Sequence, residues 1–157
     1  MNILGIDPGT KCGWAILDGD TRIASGVFDL TGSPREGGGM RILRLRHYLS
    51  QVFDLYPVDA IGYESVVRHQ GVAAAHVYGA IVGALTSMAE EREIPYQGIA
   101  VGAHKKAFCG KGNASKSASV HAAAIRYSVN VSHDEADALS VAFTLTEELS
   151  AKSPIPL

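Results

Sequence analysis

Three observations predict an α/β domain built on a five-stranded mixed sheet. The first 30 residues hold three apolar runs joined by tight polar turns, which is the pattern of an antiparallel meander. Val58 to Glu64 is nearly continuously apolar, as suits a strand in the parallel centre of a sheet. Segments with helical spacing then alternate with the later strands, so the chain reads as strands, helix, strand, helix, strand, helices.

The elements follow in order. Ile3, Leu4 and Ile6 mark a buried strand over residues 2–7, and Asp7 stands where it meets the Pro8-Gly9 turn. Cys12 to Leu17 is the second apolar run, Asp18-Gly19-Asp20 turns the chain, and Arg22 to Leu30 is the third strand. Thr31 to Gly39 is loop. Met40 to Tyr56 carries Ile42, Leu45, Leu49, Val52 and Phe53 at helical spacing, and Pro57 stops it. Gly71 to Arg92 is a long helix in which Ala75, Gly79 and Gly83 recur every four residues. Such a stripe reads first as tight packing on the domain's own sheet and second as a contact between subunits. Ile94 to Val101 is the fifth strand, with Pro95 at its start as befits an edge. Gly110 to Ser119 is a glycine-serine-lysine loop running into a helix through Tyr127. Ser132 caps the last helix, which continues to Leu149. Residues 1–150 therefore form one domain, and residues 151–157, with two prolines, a flexible tail.

At 157 residues, 46% hydrophobic and 19% charged, the composition is that of a globular chain rather than a disordered one. Its two cysteines, Cys12 and Cys109, have no zinc or CxxC spacing and read as reduced side chains of a cytoplasmic protein. No signal peptide is evident, and Val72 to Ala89 is long enough to span a membrane but too rich in small and polar residues to be read as doing so. The net charge of −2 does not point to nucleic acid, but its distribution does. No acidic residue falls between Glu93 and Asp134, while Lys105, Lys106, Lys111, Lys116 and Arg126 do. A second basic group, Arg35, Arg41, Arg44, Arg46 and His47, reads equally as a solvated helix face.

Four acidic residues carry the chemical signal. Asp7 and Glu64 end apolar strands, and Asp134 and Asp137 open the last helix three residues apart, on one face. Asp7 alone reads equally as turn chemistry, and Asp134 alone as an ordinary first-turn acid. Asp137 is different, because Ala138, Leu139, Val141 and Ala142 place it beside an inward, apolar face where a carboxylate needs a partner. Four hard oxygen donors suit magnesium or manganese rather than zinc. Two such ions about 4 Å apart can clamp both oxygens of a phosphodiester displacement. Lys116, in a glycine-rich loop before a helix, is suited to neutralise a phosphate. An NTPase phosphate loop would need Gly-Lys-Ser where the chain has Ser115-Lys116-Ser117.

GIDPGT at 5–10, YES at 63–65, GxGxxxK at 110–116 and HDEADAL at 133–139, in this order and spacing, resemble the RuvC family of Holliday-junction resolvases. The HDEADA signature resembles phage-type or divergent members most. The resemblance implies an RNase H-like fold with helices on both faces of the sheet, a homodimer, and paired metal-dependent nicks in four-way junction DNA. It implies metal-binding and catalytic roles for Asp7, Glu64, Asp134 and Asp137, a catalytic phosphate contact for Lys116, and a second phosphate contact for Lys105 or Lys111; the basic stretch itself adds Lys106, so that Lys105, Lys106, Lys111 and Lys116 are the candidate DNA contacts there. Cellular members carry a DNA-stacking aromatic after the strand-four carboxylate. Here the loop reads Ser65-Val66-Val67-Arg68-His69, and Arg68 or His69 takes that place. The implied setting is the cytoplasm of a bacterium or of a phage-infected host. The competing readings are a nuclease of the same fold acting on other branched DNA or structured RNA, an actin-like ATPase, for which the chain is too short, and a non-catalytic junction binder, against which all four carboxylates argue.

Overall fold

The structure, a computed structural model, describes residues 1–152. Its elements are β1 (Asn2–Asp7), β2 (Lys11–Asp18), β3 (Thr21–Asp29), α1 (Gly38–Leu55), β4 (Ala60–Ser65), α2 (Val72–Glu91), β5 (Tyr96–Ala100), α3 (Val101–Cys109), α4 (Lys116–Tyr127) and α5 (His133–Lys152). The sheet order is β3-β2-β1-β4-β5. β1, β2 and β3 form the antiparallel meander, while β4 pairs in parallel with both β1 and β5. β5, the strand that Pro95 precedes, is one edge of the sheet, and β3 is the other.

Strand alternation divides the side chains between two cores. Leu4, Ile6, Cys12, Ile16 and Ile61 pack with Leu45, Leu49, Ile81 and Leu85 of α1 and α2. Ile3, Ala15, Leu17 and Ala60 pack on the other face with α3, α4 and α5, through Phe108, Ala123, Ala138 and Leu139 among others. Asp7 shares the parity of Ile3, and Glu64 that of Ala60, so both carboxylates project toward the α5 face at the same end of neighbouring strands.

α5 lies unusually close to the sheet because the strands beneath it lack side chains. A Cβ on Gly5 would stand 2.2 Å from the Ala138 carbonyl oxygen, and one on Gly13 would stand 1.9 Å from that of Asp134. The first turn of α5 is fastened as well. The Ser132 hydroxyl accepts from the Glu135 amide, and Ser25 on β3 donates to the Glu135 carboxylate at 2.5 Å while accepting from Arg22.

Four features differ from the sequence reading. α3 has no counterpart in it. Lys116 to Ser119 belong to α4 rather than to a loop, because Ser115 caps the helix by accepting from the Ala118 amide. The stripe does not pack on the sheet at Gly79 and Gly83: α2 turns Ile81, Leu85 and Met88 inward, and no atom of the described residues lies within 4 Å of a Cβ placed on either glycine. The larger side chains win the buried face because each contributes about 1.5–3 kcal/mol when buried. α2 is long and apolar enough to cross a membrane by length and composition, but this buried stripe makes it part of the domain core. α5 runs on to Lys152, into the segment expected to be tail, and residues 153–157 lie outside the described residues.

Candidate active site

At the end of the sheet where β1 and β4 finish, the fold gathers the four carboxylates from three elements. Parallel pairing of Ile6 with Tyr63 brings the next residues, Asp7 and Glu64, side by side, and they share a hydrogen bond. α5 adds Asp137, buried at 8% exposure, and Asp134, half-buried one turn earlier. Both act electrostatically on Asp7.

The electrostatics are those of crowded acids in a poorly solvated cleft. Burial first, then the neighbouring Glu64, holds the Asp7 carboxyl well above its ordinary range. Burial also raises Asp137, and Glu64 adds to it, while Lys105, the Ser119 hydroxyl and His104 favour its ionised form. Glu64 goes the other way. Burial would raise it, but hydrogen bonds from His104 and Asp7, with the charge of Lys105, leave it below its usual value. Within the pair, Asp7 is therefore the carboxyl that holds a proton more readily.

The Asp137 Oδ1 atom is buried and has no hydrogen-bond partner among the described residues. A buried carboxylate oxygen without a donor calls for a cation. The donors around it are hard oxygens, which fit a small divalent ion of the magnesium type. Among the described residues, no group of three or more His, Cys, Asp and Glu side chains already stands in metal-cage geometry. Magnesium does not need such a cage, since it keeps several waters and binds through one or two carboxylates plus substrate phosphates.

The basic residues separate into those near the acids and those apart from them. Lys105, on α3, is half-buried and its charge reaches Glu64 and Asp137. Lys116 is exposed in the first turn of α4, three residues before Ser119, whose hydroxyl favours the ionised form of Asp137. Lys106 and Lys111 are exposed around the end of α3. Arg68 is exposed on the loop after β4, whereas the His69 ring packs on Tyr78 with centroids 4.8 Å apart. Tyr78 in turn donates to the Glu64 carbonyl and accepts from the Val66 amide, pinning the loop that follows Glu64. Three members of the second basic group are engaged within the protein. Arg44 forks onto Glu36, Arg46 pairs with Glu91, and Arg41 donates to the Leu30 carbonyl. This supports the solvated-face reading of that group.

Two residues of the site were missed from the sequence, His104 and Ser140. Both are fully buried, and together they bridge α5 to Glu64. The available signal was His104 and Phe108, four apart, as the two buried positions of a helix hidden in a basic stretch. Cys12 lies under the site, and burial with the nearby Asp7 pushes its thiol up to about 12, which leaves it inert.

Comparison with known proteins places this arrangement. The family model described as "Crossover junction endodeoxyribonuclease RuvC" matches residues 3–145. The crossover junction endodeoxyribonuclease RuvC of Xanthomonas oryzae pv. oryzae is 32% identical over 151 residues, covering 90% of this chain and 85% of the relative. That of Corynebacterium glutamicum is 31% identical over 120 residues, covering 74% of this chain and 54% of the relative. Among solved structures, T. thermophilus RuvC in complex with Holliday junction substrate superposes with a TM-score of 0.85 at 23% identity, over 100% of this chain and 99% of that one. The yeast mitochondrial Holliday junction resolvase Ydc2 does so at 0.64 and 10% identity, over 94% and 80%. These two likenesses are of fold, and the fold is RNase H-like. With the family model spanning nearly the whole chain and relatives above 30% identity along most of it, this protein belongs to the crossover junction endodeoxyribonuclease RuvC family, whose members are divalent-metal-dependent nucleases.

Proposed function

We propose that the protein resolves four-way DNA junctions by hydrolysing two opposed phosphodiesters, with Asp7, Glu64, Asp134 and Asp137 as ligands for two magnesium or manganese ions. The observation that carries this reading is the buried Oδ1 of Asp137, without a hydrogen-bond partner among the described residues, beside the Asp7–Glu64 pair. When bound, the two ions supply a metal-activated water and charge neutralisation at the leaving oxygen. The protein's own residues do the rest. Glu64 enters ionised, held so by His104, while Asp7 gives up a proton before it can ligate. Lys116 in the first turn of α4 and Lys105, whose charge reaches Asp137, neutralise the scissile phosphate. Lys106, Lys111 and Arg68 lie exposed around the cleft, where they hold the flanking backbone. His69 stacks on Tyr78 and stiffens the loop, which leaves Arg68 as the side chain free to meet a base.

The chain carries one such set, so paired nicks need a second copy. The Ala75, Gly79 and Gly83 stripe of α2, half-buried at Ala75 and exposed at the two glycines, is the face that lets two copies approach closely, and a two-fold dimer matches the symmetry of the junction. One domain, acting as a homodimer in the cytoplasm, is the arrangement this reading describes.

The test is incubation of the protein with a synthetic mobile four-way junction, first in magnesium and then in calcium. Symmetric paired nicks in magnesium, with binding but no cleavage in calcium, are the expected outcome. Cleavage of hairpin RNA or of flapped DNA in preference to the junction would overturn it.

A further inference from the structure

His104 is a polar ring with no exposed surface, inside the helical layer that covers the sheet. Both its nitrogens are engaged. Nδ1 meets the Ser140 Oγ at 2.8 Å, and Nε2 meets Glu64 Oε1 at 3.0 Å. The Ser140 hydroxyl also lies 3.1 Å from the carbonyl oxygen of His104 itself, so the ring and its own backbone are held by one side chain. An ionised carboxylate can only accept, so the nitrogen that faces Glu64 carries hydrogen wherever the Ser140 proton goes. With neither nitrogen free, His104 has no lone pair to offer a metal, and with no exposure it cannot exchange a proton with substrate.

What remains is mechanical and electrostatic. Ser140 stands three residues after Asp137 on the same face of α5. The chain Ser140–His104–Glu64 therefore ties α5, which bears Asp137, through α3 to β4, which bears Glu64. A glutamate has three side-chain torsions, and without this tie its carboxylate would rotate among several rotamers. With Oε1 held, its direction relative to Asp7 and Asp137 is fixed.

We propose that His104, oriented by Ser140, is the positioning residue that sets the Glu64 carboxylate for divalent metal binding. This rests on the reading of Glu64 as a metal ligand, given above. Outer partners of ligating carboxylates change metal affinity by about ten- to hundredfold when removed.

The experiment measures Mn2+ binding to the DNA-free protein by the electron paramagnetic resonance signal of free Mn2+, in the parent, His104→Leu, His104→Gln, Ser140→Ala, Glu64→Gln and the His104→Leu/Glu64→Gln double variant. Thermal melting in a chelator establishes that each is folded. The expected result is about ten- to hundredfold weaker Mn2+ binding in His104→Leu, recovery of most of that loss in His104→Gln, whose amide still donates to Glu64, and a smaller loss in Ser140→Ala. In the Glu64→Gln background, His104→Leu should add nothing, because its effect runs through Glu64. Parent-like Mn2+ affinity in folded His104→Leu, or equal loss in His104→Leu and His104→Gln, would overturn the proposal. Should His104→Leu fail to fold, a loss in Ser140→Ala together with near-parent affinity in His104→Gln decides for it, and parent-like affinity in Ser140→Ala, or a loss in His104→Gln as large as that of Glu64→Gln, decides against. A parent that binds no Mn2+, or Glu64→Gln that binds it as the parent does, overturns instead the reading of Glu64 as a ligand.

Discussion

The two faces of the sheet are built for different ends. Toward α1 and α2 the strands present large side chains, Leu4, Ile6, Ile16 and Phe28, with Trp14, Phe28 and Tyr48 stacked at 5.5 and 5.2 Å. Toward α5 they present Gly5, Gly13 and Ala15, met by Ala136, Ala138 and Ala142. The first face is a core whose spacing is set by side-chain volume. The second brings backbone against backbone, so the place of Asp134 and Asp137 relative to Asp7 is set by the main chain, the stiffest part of the structure. The difference teaches where stability and geometry reside: bulk burial on one face holds the fold, and small residues on the other hold the site.

The sharpest break in that comparison is Asp7→Asn. It should lower junction cleavage by about a thousandfold, the equivalent of the several kcal/mol that a metal clamp supplies, as single-turnover cleavage would show. It should also stabilise the metal-free fold. A carboxyl raised on folding, as Asp7 is by burial and by Glu64, adds stability in acid that is lost as pH rises through its folded pKa. Asparagine carries no such loss, so the melting temperature of the metal-free variant should exceed the parent's most at alkaline pH and least in the ordinary carboxylate range. A variant that melts below the parent at alkaline pH would contradict the crowding of acids at this site.

Next come one substitution on each face. Leu49→Ala, in the α1–α2 core, should cost about 2–5 kcal/mol of stability yet leave the cleavage rate of the folded fraction unchanged. Gly13→Ala forces a Cβ against the Asp134 carbonyl. It should cost about 1–3 kcal/mol and lower the rate as well, since α5 must shift. Urea melts paired with single-turnover cleavage separate the two, and a rate loss confined to Leu49→Ala would invert the assignment of faces. The smallest effect concerns the basic residues. Lys106→Ala should reduce the slope of log affinity against log salt by about one. Arg46→Ala, on the α1 face and already paired with Glu91, should leave the slope as it is and alter stability by no more than about 0.5 kcal/mol. A slope reduced by the same amount in both variants would show that DNA tracks both faces, and an unchanged slope in Lys106→Ala would remove Lys106 from the DNA path.

Much of this was legible in the sequence because it depends on local pattern. The apolar runs, the Pro8-Gly9 turn and the Ser132 cap predict where the strands and α5 lie, and the acids stand at their ends. What escaped depends on tertiary choices. α3 follows β5 directly and holds only two buried residues, His104 and Phe108, too few to stand out as an amphipathic period. The role of His104 is set by Ser140, 36 residues away. The α2 stripe was read inward because small residues permit close packing, but Ile81, Leu85 and Met88 compete for the same core and bury more surface.

The strand parity of the two carboxylates has a consequence for how the chain reaches its fold. In the native pairing Asp7 and Glu64 stand together on the α5 side. A slip of one residue in either strand would turn a carboxylate to the opposite face, in among the aliphatic and aromatic side chains of the larger core. An uncompensated acid there is penalised by several kcal/mol, while the glycines of the α5 face would be exchanged for side chains that α5 cannot accommodate. The same residues that form the reactive cleft thus act as a proofreading device during folding, rejecting misaligned sheets that hydrophobic content alone would tolerate.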